Sequence, residues 1–388
     1  MIDRQLESEI QILRREFPIV AILGPRQSGK TTLAQKAFPD FSYVSLEDID
    51  NREFADSDPR GFLDRYRSNV ILDEVQRVPA LISYLQSHVH RLGENGRVVI
   101  TGSHNFLLME QITQSLAGRV GLTRLLPFSA YEMRELQPGL PDLLFGGGYP
   151  RIYDQGIRPQ TFYKNYIDTY IEKDLRQVKQ ITKVDDFYRF LRILAGRTAQ
   201  ELNMSAVAEQ CGVVHGTVRE WLAVLEAGFI IYRLPPYHKN YNKRLVKNPK
   251  IYFTDTGLVC SLLGIREKEQ LDYHFLKGAL FETFVVNELQ KGRFNHGEPY
   301  GLFFWRDNHR KEVDVIIESG TGQAALEIKS AKTVHGHAFS GLDYWKALAS
   351  SDNPTTYLVY AGDDSYTRRG VRVVAWNDLF GEVVRPRL

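Results

Sequence analysis

Cysteine is nearly absent from this chain: its 388 residues include only two, Cys211 and Cys260. Two thiols build no disulfide framework, which points to a reducing compartment rather than a secreted scaffold. No apolar run reaches the roughly 18 residues that a membrane-spanning helix needs. The opening Met1-Ile-Asp-Arg-Gln-Leu-Glu-Ser-Glu-Ile lacks the apolar core of a signal peptide. An excess of one charge is lacking too. The formal net charge of +2 excludes a strongly basic protein but leaves room for a local basic face. These absences make a cytoplasmic protein with no membrane partner the expectation. What is present is globular material, 43% apolar, enough for real cores. The chain also exceeds the length at which one core stops growing, so about two or three domains are expected.

Ile19-Val-Ala-Ile-Leu is an apolar run of strand length that meets Gly24-Pro25-Arg26-Gln27-Ser28-Gly29-Lys30-Thr31-Thr32, and a helical pattern follows at Leu33-Ala-Gln-Lys-Ala. A strand, Gly-x4-Gly-Lys-Thr and a helix, in that order, are what a phosphate-binding loop requires. Gly24 and Gly29 let the backbone curl until successive N–H groups form an anion nest. The helix starting near Lys30 adds its positive end. The residues from Gly24 to Thr32 are therefore expected to bind nucleotide, with Lys30 on the β- and γ-phosphates and the Thr31 hydroxyl on Mg²⁺. A bare glycine turn would need neither the lysine nor the threonine.

Asn69-Val-Ile-Leu-Asp73-Glu74 is a buried-strand pattern ending in two carboxylates, about fifty residues after the loop. Asp73 is expected to hold Mg²⁺ through water, and Glu74 to orient and activate the attacking water. A third such run, Arg97-Val-Val-Ile-Thr101-Gly-Ser103-His-Asn105, ends in small polar residues. Thr101, Ser103 and Asn105 each fit a sensor of the γ-phosphate, and each fits plain strand-end turn chemistry. Arg119, behind Gly118, fits two roles. One is neutralising phosphate charge from its own or a neighbouring subunit; the other is a structural ion pair.

In the middle, Tyr163, Tyr166, Ile167, Tyr170, Ile171, Leu175 and Val178 recur at helical spacing, predicting one helix with an aromatic stripe of ordinary core. Asp174 falls on that stripe and needs a partner. From Ser205 to Leu225 a short helix, a turn containing Gly212 and a second helix form a helix-turn-helix pattern. His215, Thr217 and Arg219 lie near the start of its second helix, where base edges are reached in DNA-binding modules. Ile230 to Thr254 carries Arg233, Lys239, Lys243, Arg244, Lys247 and Lys250 with no acid before Thr254, interleaved with Tyr237, His238 and Tyr241. That is a local basic face of the kind DNA attracts. A protein-docking module, an ATPase lid or a solvated loop is the alternative.

Toward the end, Gly278 to Leu289 reads as an amphipathic helix carrying Glu282. Extended stretches follow, with Asp314 on one and Glu327-Ile-Lys329 on the next. Side chains two apart on a strand share a face, so Glu327 and Lys329 project together while Leu326 and Ile328 pack behind. Hairpin pairing would bring Asp314 opposite them. Such carboxylates suit Mg²⁺ or Mn²⁺, Glu282 would complete the metal shell, and a lysine offsets charge on a scissile phosphate. By itself Asp-x12-Glu-x-Lys is unspecific; the helix acid and strand context give it weight.

An acid on a helix, an Asp on one strand and acid-x-Lys on the next resembles the PD-(D/E)XK nuclease core, although Val313 stands where that pattern often has proline. The whole chain resembles prokaryotic AAA-type ATPases that carry a C-terminal domain related to those nucleases. The resemblance rests on Gly24 to Thr31, Leu72-Asp-Glu-Val-Gln76, Thr101-Gly-Ser103, Leu116-Ala-Gly-Arg119, Gly147-Gly-Tyr-Pro150, Tyr170-Ile-Glu-Lys-Asp174, Tyr252-Phe-Thr-Asp-Thr-Gly-Leu258 and the Asp314/Glu327/Lys329 set. It implies an α/β protein with a P-loop NTPase core of AAA type over 1–130, a helical lid or linker over 131–184, a winged helix over 185–255 and a restriction-endonuclease-like α/β domain over 256–388. It further implies ATP as substrate, Mg²⁺ as its ion, Mg²⁺ or Mn²⁺ in the nuclease-like site and assembly into homo-oligomers with Arg119 as a finger in trans. Two functions compete: a nucleic-acid-directed ATPase that controls a metal-dependent nuclease acting on DNA, and an ATP-driven switch whose later domains only bind DNA or protein.

Overall fold

The computed structural model describes residues 2–103, 115–171, 184–237, 248–309, 311–319, 322–349 and 354–384. Helix α1 (Leu6–Glu16) turns the stripe Leu6, Ile10 and Leu13 into the interior. After it come β1 (Ile19–Leu23), α2 (Lys30–Ala37), β2 (Ser42–Ser45), α3 (Ile49–Ser57) and α4 (Pro59–Arg65). Next are β3 (Val70–Asp73), α5 (Pro79–Leu92), β4 (Val98–Gly102) and β5 (Val120–Arg124). The strands form one parallel sheet in the order β2-β3-β4-β1-β5. Every residue of β1, β3 and β4 is buried, as continuous apolar strands covered on both faces must be. The strands run one way, so their carboxyl ends share one edge, and β4 lies between β1 and β3. Ligands of open parallel sheets bind beyond that edge.

The middle begins with three short helices, α6 (Leu140–Gly146), α7 (Pro150–Asp154) and α8 (Pro159–Tyr166). The single helix predicted across the aromatic stripe is interrupted: α8 ends at Tyr166 and Ile167–Ile171 form a wider π turn. Tyr163, Tyr166 and Ile167 are buried as predicted, whereas Asp174, Leu175 and Val178 lie outside the described residues. Then follow α9 (Val184–Ala195), β6 (Gln200–Glu201), α10 (Met204–Cys211), α11 (His215–Ala227), β7 (Ile231–Leu234) and β8 (Lys250–Phe253). Gly212, at φ 71°, closes α10 in the left-handed conformation and turns the chain into α11. The three strands are antiparallel with β8 in the centre.

Helix α12 (Thr256–Leu262) packs back on α6, with Thr256 Oγ1 donating to the Leu143 carbonyl at 3.3 Å. Helix α13 (Lys277–Asn295) leads to β9 (Leu302–Arg306), β10 (Glu312–Ser319), β11 (Gly322–Lys329), α14 (Ser340–Leu348), β12 (Thr355–Tyr360), β13 (Tyr366–Arg368) and β14 (Val371–Ala375). These strands form a mixed sheet ordered β13-β14-β12-β11-β10-β9. An apolar cluster runs without a break from Phe128 through the middle helices and α13 to Val374 and Leu379. The middle and C-terminal parts therefore share a core. Helix α14 covers the other sheet face, packing its own Trp345 against Trp305 of β9.

The buried Asp255, just before α12, joins three segments. Its Oδ1 accepts from Tyr163 Oη at 2.6 Å and from the Leu258 N–H at 3.1 Å, and its Oδ2 accepts from the Gly148 N–H at 2.8 Å. Removing a buried acceptor strands its donors. Asp255→Ala is expected to cost about 2–5 kcal/mol in urea denaturation, and Asp255→Asn, which keeps an acceptor, clearly less; equal losses would contradict the donor accounting.

Candidate functional site

The chain between β1 and α2 turns back on itself through Gly24 (φ 156°), Gln27 (φ 62°) and Gly29 (φ 92°). Gly24 is required sterically, because a Cβ there would stand 2.1 Å from the Leu125 carbonyl oxygen. Lys30 opens α2, is buried, and donates from Nζ to the carbonyl oxygens of Gly24 (3.1 Å) and Pro25 (2.8 Å). Burial pulls its ammonium below the usual lysine range, with the Glu74 and Asp73 carboxylates opposing. Arg4, a residue the sequence reading did not single out, braces the loop from behind. Its Nη1 donates to Ser28 O at 2.8 Å, its Nη2 to Leu126 O at 2.6 Å, and its Nε pairs with Glu132 at 3.1 Å. Pro25, Arg26, Ser28 and Thr32 complete the loop and the first turn of the helix.

At the tip of β3, Asp73 accepts from three hydroxyls. Thr31 Oγ1 lies 3.0 Å from Oδ2, Tyr43 Oη lies 2.7 Å from Oδ2, and Thr101 Oγ1 donates to Oδ1. Thr101 reaches Asp73 because β4 separates β3 from β1. The same hydroxyl accepts the Glu74 N–H at 3.2 Å. Glu74 itself has φ 57°, a left-handed conformation that costs a non-glycine residue energy and tends to persist at functional sites. Its Oε2 accepts from Ser103 Oγ at 2.7 Å and from Gln76 Nε2. Burial pushes the Glu74 carboxyl up, but Lys30, the Ser103 hydroxyl, Arg26 and the Gln76 amide outweigh it and hold it below the usual range.

Thus Lys30, Thr31, Asp73, Glu74, Thr101 and Ser103 converge at one sheet edge. Thr31 and Asp73 offer a hydroxyl and a carboxylate, the sparse set of hard oxygens with which Mg²⁺ is held beside phosphates, so these residues fit that ion. Asn105 lies outside the described residues. Arg119 sits at the other edge, where its carbonyl accepts the Ile19 N–H as β1 and β5 begin. A five-residue strand, roughly 16 Å, separates it from the phosphate loop of its own chain, which removes the role in cis. Arg26, in the loop, is the arginine whose charge reaches Glu74. Two further residues join the site: Gln76 stands at the end of the Leu72–Gln76 motif, while nothing local in the sequence marks Tyr43.

A second group of ionisable side chains lines a cleft of about 870 Å³ between the three-stranded and six-stranded sheets. Asp314 lies on β10 where the pairing with β9 shifts register, and its Oδ2 accepts the Ile328 N–H from β11 at 2.7 Å. Glu327 and Lys329 pair with each other on β11. Burial, with Glu327 and Glu282, pushes the Asp314 carboxyl well above its usual range, against Lys250 and Lys329. Glu282, expected as a metal ligand, instead accepts from Lys250 Nζ at 2.8 Å and Tyr252 Oη at 2.6 Å. Among the described residues no three His, Cys, Asp or Glu side chains form a group that could hold a metal ion. Ammonium groups stand between the acids. As placed, Glu282, Asp314 and Glu327 do not fit a divalent ion.

Lys250 also corrects the basic-face reading: it is 3% exposed inside this cleft. Arg233 is paired with Glu226. Lys239, Lys243, Arg244 and Lys247, with His238 and Tyr241, lie outside the described residues.

A family model described as an AAA domain matches residues 16–134. Two described as domains of unknown function, DUF8612 and DUF4143, match 137–269 and 277–379. An uncharacterized protein of Mycobacterium tuberculosis is 31% identical over 322 residues, covering 81% of this chain and 71% of that protein. One of Methanocaldococcus jannaschii is 24% identical over 348 residues, 80% of this chain and 75% of its own. Among solved structures, a Walker-type ATPase of Pyrococcus abyssi covers 68% of this chain and 96% of its own at 14% identity and TM-score 0.44. A RuvB variant of Thermotoga maritima covers 59% and 89% at 16% identity and TM-score 0.31. Among the described residues no helix is long and apolar enough to cross a membrane. With its phosphate loop and strand-tip acids inside the matched AAA domain, the chain belongs to the family of the mycobacterial relative and carries an AAA-type P-loop ATPase domain in its first third.

Proposed function

We propose that the chain hydrolyses ATP at the edge of its parallel sheet and uses that cycle to act on nucleic acid. The observation that carries the hydrolytic half is Glu74: a carboxylate in a costly backbone conformation, held ionised and aimed by Ser103 and Gln76 beside Lys30. In this reading the nest from Gly24 to Thr32 cradles the phosphates and Lys30 leaves the loop carbonyls for the β- and γ-oxygens. Thr31 and Asp73 would hold Mg²⁺, which when bound neutralises charge on the transferring phosphate. Glu74 accepts a proton from the water that attacks the γ-phosphorus, and ADP departs as the bond to its bridging oxygen breaks. Thr101 fixes Asp73 and the Glu74 backbone together, and Ser103 is the better placed γ-phosphate sensor. Arg119 is left a role only across a subunit boundary, in a homo-oligomer.

The nucleic-acid half rests on the middle unit. Its order of helix, strand, two helices and two strands, with β8 central, supports a winged helix. His215 and Arg219 are exposed at the start of α11, with Thr217 half-buried between them, where such modules meet base edges. A second reading, a nuclease under nucleotide control, is favoured by one arrangement: a helix acid, a strand Asp and Glu-x-Lys facing the same cleft.

Lys30→Ala is expected to abolish ATP binding in calorimetry. Glu74→Gln should bind ATP within about threefold of wild type and turn over at least about 100-fold more slowly; turnover at the wild-type rate would show that another group activates water. Because Glu74 is shifted down, it stays ionised as pH falls through the ordinary glutamate value of about 4.3. The acid limb of the hydrolysis profile should therefore lie below that value. Ser103→Ala, which removes a bond to the charged form, should move the limb upward, and an unmoved limb would contradict the hydrogen-bond assignment. For the second reading, supercoiled DNA with Mg²⁺ or Mn²⁺ should be nicked only when ATP is present, and not by Lys329→Ala; nicking by that variant would discard the nuclease.

A further inference from the structure

The carboxylate cleft holds more acid than its own sheet answers. Arg306 on β9 pairs with Glu201 of the middle unit at 2.6 Å and approaches Glu312 at 3.7 Å. Lys329 answers Glu327. Among the described residues the remaining cation that lines the cleft, Lys250, comes from the central strand of the other sheet. Its Nζ lies 2.8 Å from Glu282 of α13 and 2.6 Å from Glu312 of β10, and Tyr252, two residues along β8, donates to the same Glu282 oxygen. One ammonium thus bridges a helix acid and a strand acid, which is the place a bridging cation takes among hard oxygens. An unanswered oxygen lines the same cleft: Glu327 Oε2 is buried and has no hydrogen-bond partner among the described residues.

The seat of Lys250 is fixed by the seam between the two sheets. Beyond β7 the chain pairs with β9, with the Tyr237 N–H donating to Phe304 O at 2.7 Å and the Phe304 N–H to Pro235 O at 3.1 Å. The Lys250 ammonium lies 5.5 Å from the centre of the Phe304 ring. Burial alone would pull its proton off, but Glu282, Asp314 and Glu312 raise its affinity for that proton instead.

We propose that Lys250 is a built-in counter-ion occupying the position a divalent cation would take, so that the cleft is closed to Mg²⁺ and Mn²⁺ while this side chain is seated. The proposal rests on the nuclease-like reading of Glu282, Asp314 and Glu327. It adds that the middle unit, not the nuclease-like unit, decides whether the acids meet a metal. A divalent ion brought beside a seated ammonium meets like charge at short range. With the ammonium gone, Glu282 and Glu312 are half-buried acids beside the buried Glu327, left in need of a cation.

The test is Mn²⁺ binding by the full chain without nucleotide, read from the loss of the free-ion electron paramagnetic resonance signal. Wild type and Lys250→Arg are expected to take up no Mn²⁺ in the cleft. Lys250→Met, which keeps the stem over Phe304, should gain one site, tighter by at least about tenfold than any in wild type. Adding Asp314→Asn should abolish it. If Lys250→Met does not fold with two acids unpaired, Lys250→Met with Glu312→Gln relieves the surplus charge and is read in its place. Asp314-dependent Mn²⁺ binding by wild type, or no gain in either lysine variant, overturns the proposal. Mn²⁺ uptake by Lys250→Met with no cutting of DNA supports the counter-ion and counts against the nuclease alone.

Discussion

Three hydroxyls from three segments meet on the carboxylate of Asp73, and the nucleotide end of the molecule is organised by that convergence. Thr31 brings the phosphate loop, Tyr43 the neighbouring strand β2 and Thr101 the intervening strand β4. Hydrogen bonds to a charged acceptor are stronger than neutral ones, and here they also set distances. Thr101 spends its lone pair on the Glu74 N–H, so Asp73 and Glu74, the residues proposed to hold the ion and to activate water, are tied together by one side chain. The parallel sheet makes this possible, because it delivers four strand tips to a single edge.

Behind that edge, the segment after β5 serves two masters. Arg4 ties Leu126 O and Glu132 to the back of the phosphate loop. On its other side, Lys291 of α13 donates to Phe128 O at 2.9 Å, and Glu288 accepts the Ala130 N–H at 2.7 Å. Glu282, in the cleft, lies on that same helix. A displacement of residues 126–132 would therefore be felt both at the loop and at α13. The core shared from Phe128 to Leu379 packs the later units against one another rather than leaving them as beads on a string.

The sequence made legible what is chemically contiguous. Gly24 to Thr32 is a complete phosphate-loop pattern in nine consecutive residues, and the apolar run ending in Asp73-Glu74 announces a buried strand with carboxylates at its tip. Legibility failed where tertiary structure brings distant residues together. Arg4 and Tyr43 carry no local signature, and their partners lie 24 to 128 positions away. Lys250 reads as surface charge in the sequence because composition gives the sign of a charge but not the face it lies on; its partners are 32 and 62 positions downstream. Arg119 illustrates a related gap: a motif beside a strand does not say which end of that strand faces the ligand. The stripe of aromatics misled in a milder way, since periodicity records burial but is blind to a π turn.

The central claim is that one site couples triphosphate to a divalent ion through Asp73. The most direct test is a calorimetric titration of ATP into wild type and Asp73→Asn, each with and without Mg²⁺. Tight binding that depends on Mg²⁺ in wild type, with the dependence lost in Asp73→Asn, is the predicted result. ATP binding that ignores Mg²⁺ in wild type, or no binding at all, would contradict it.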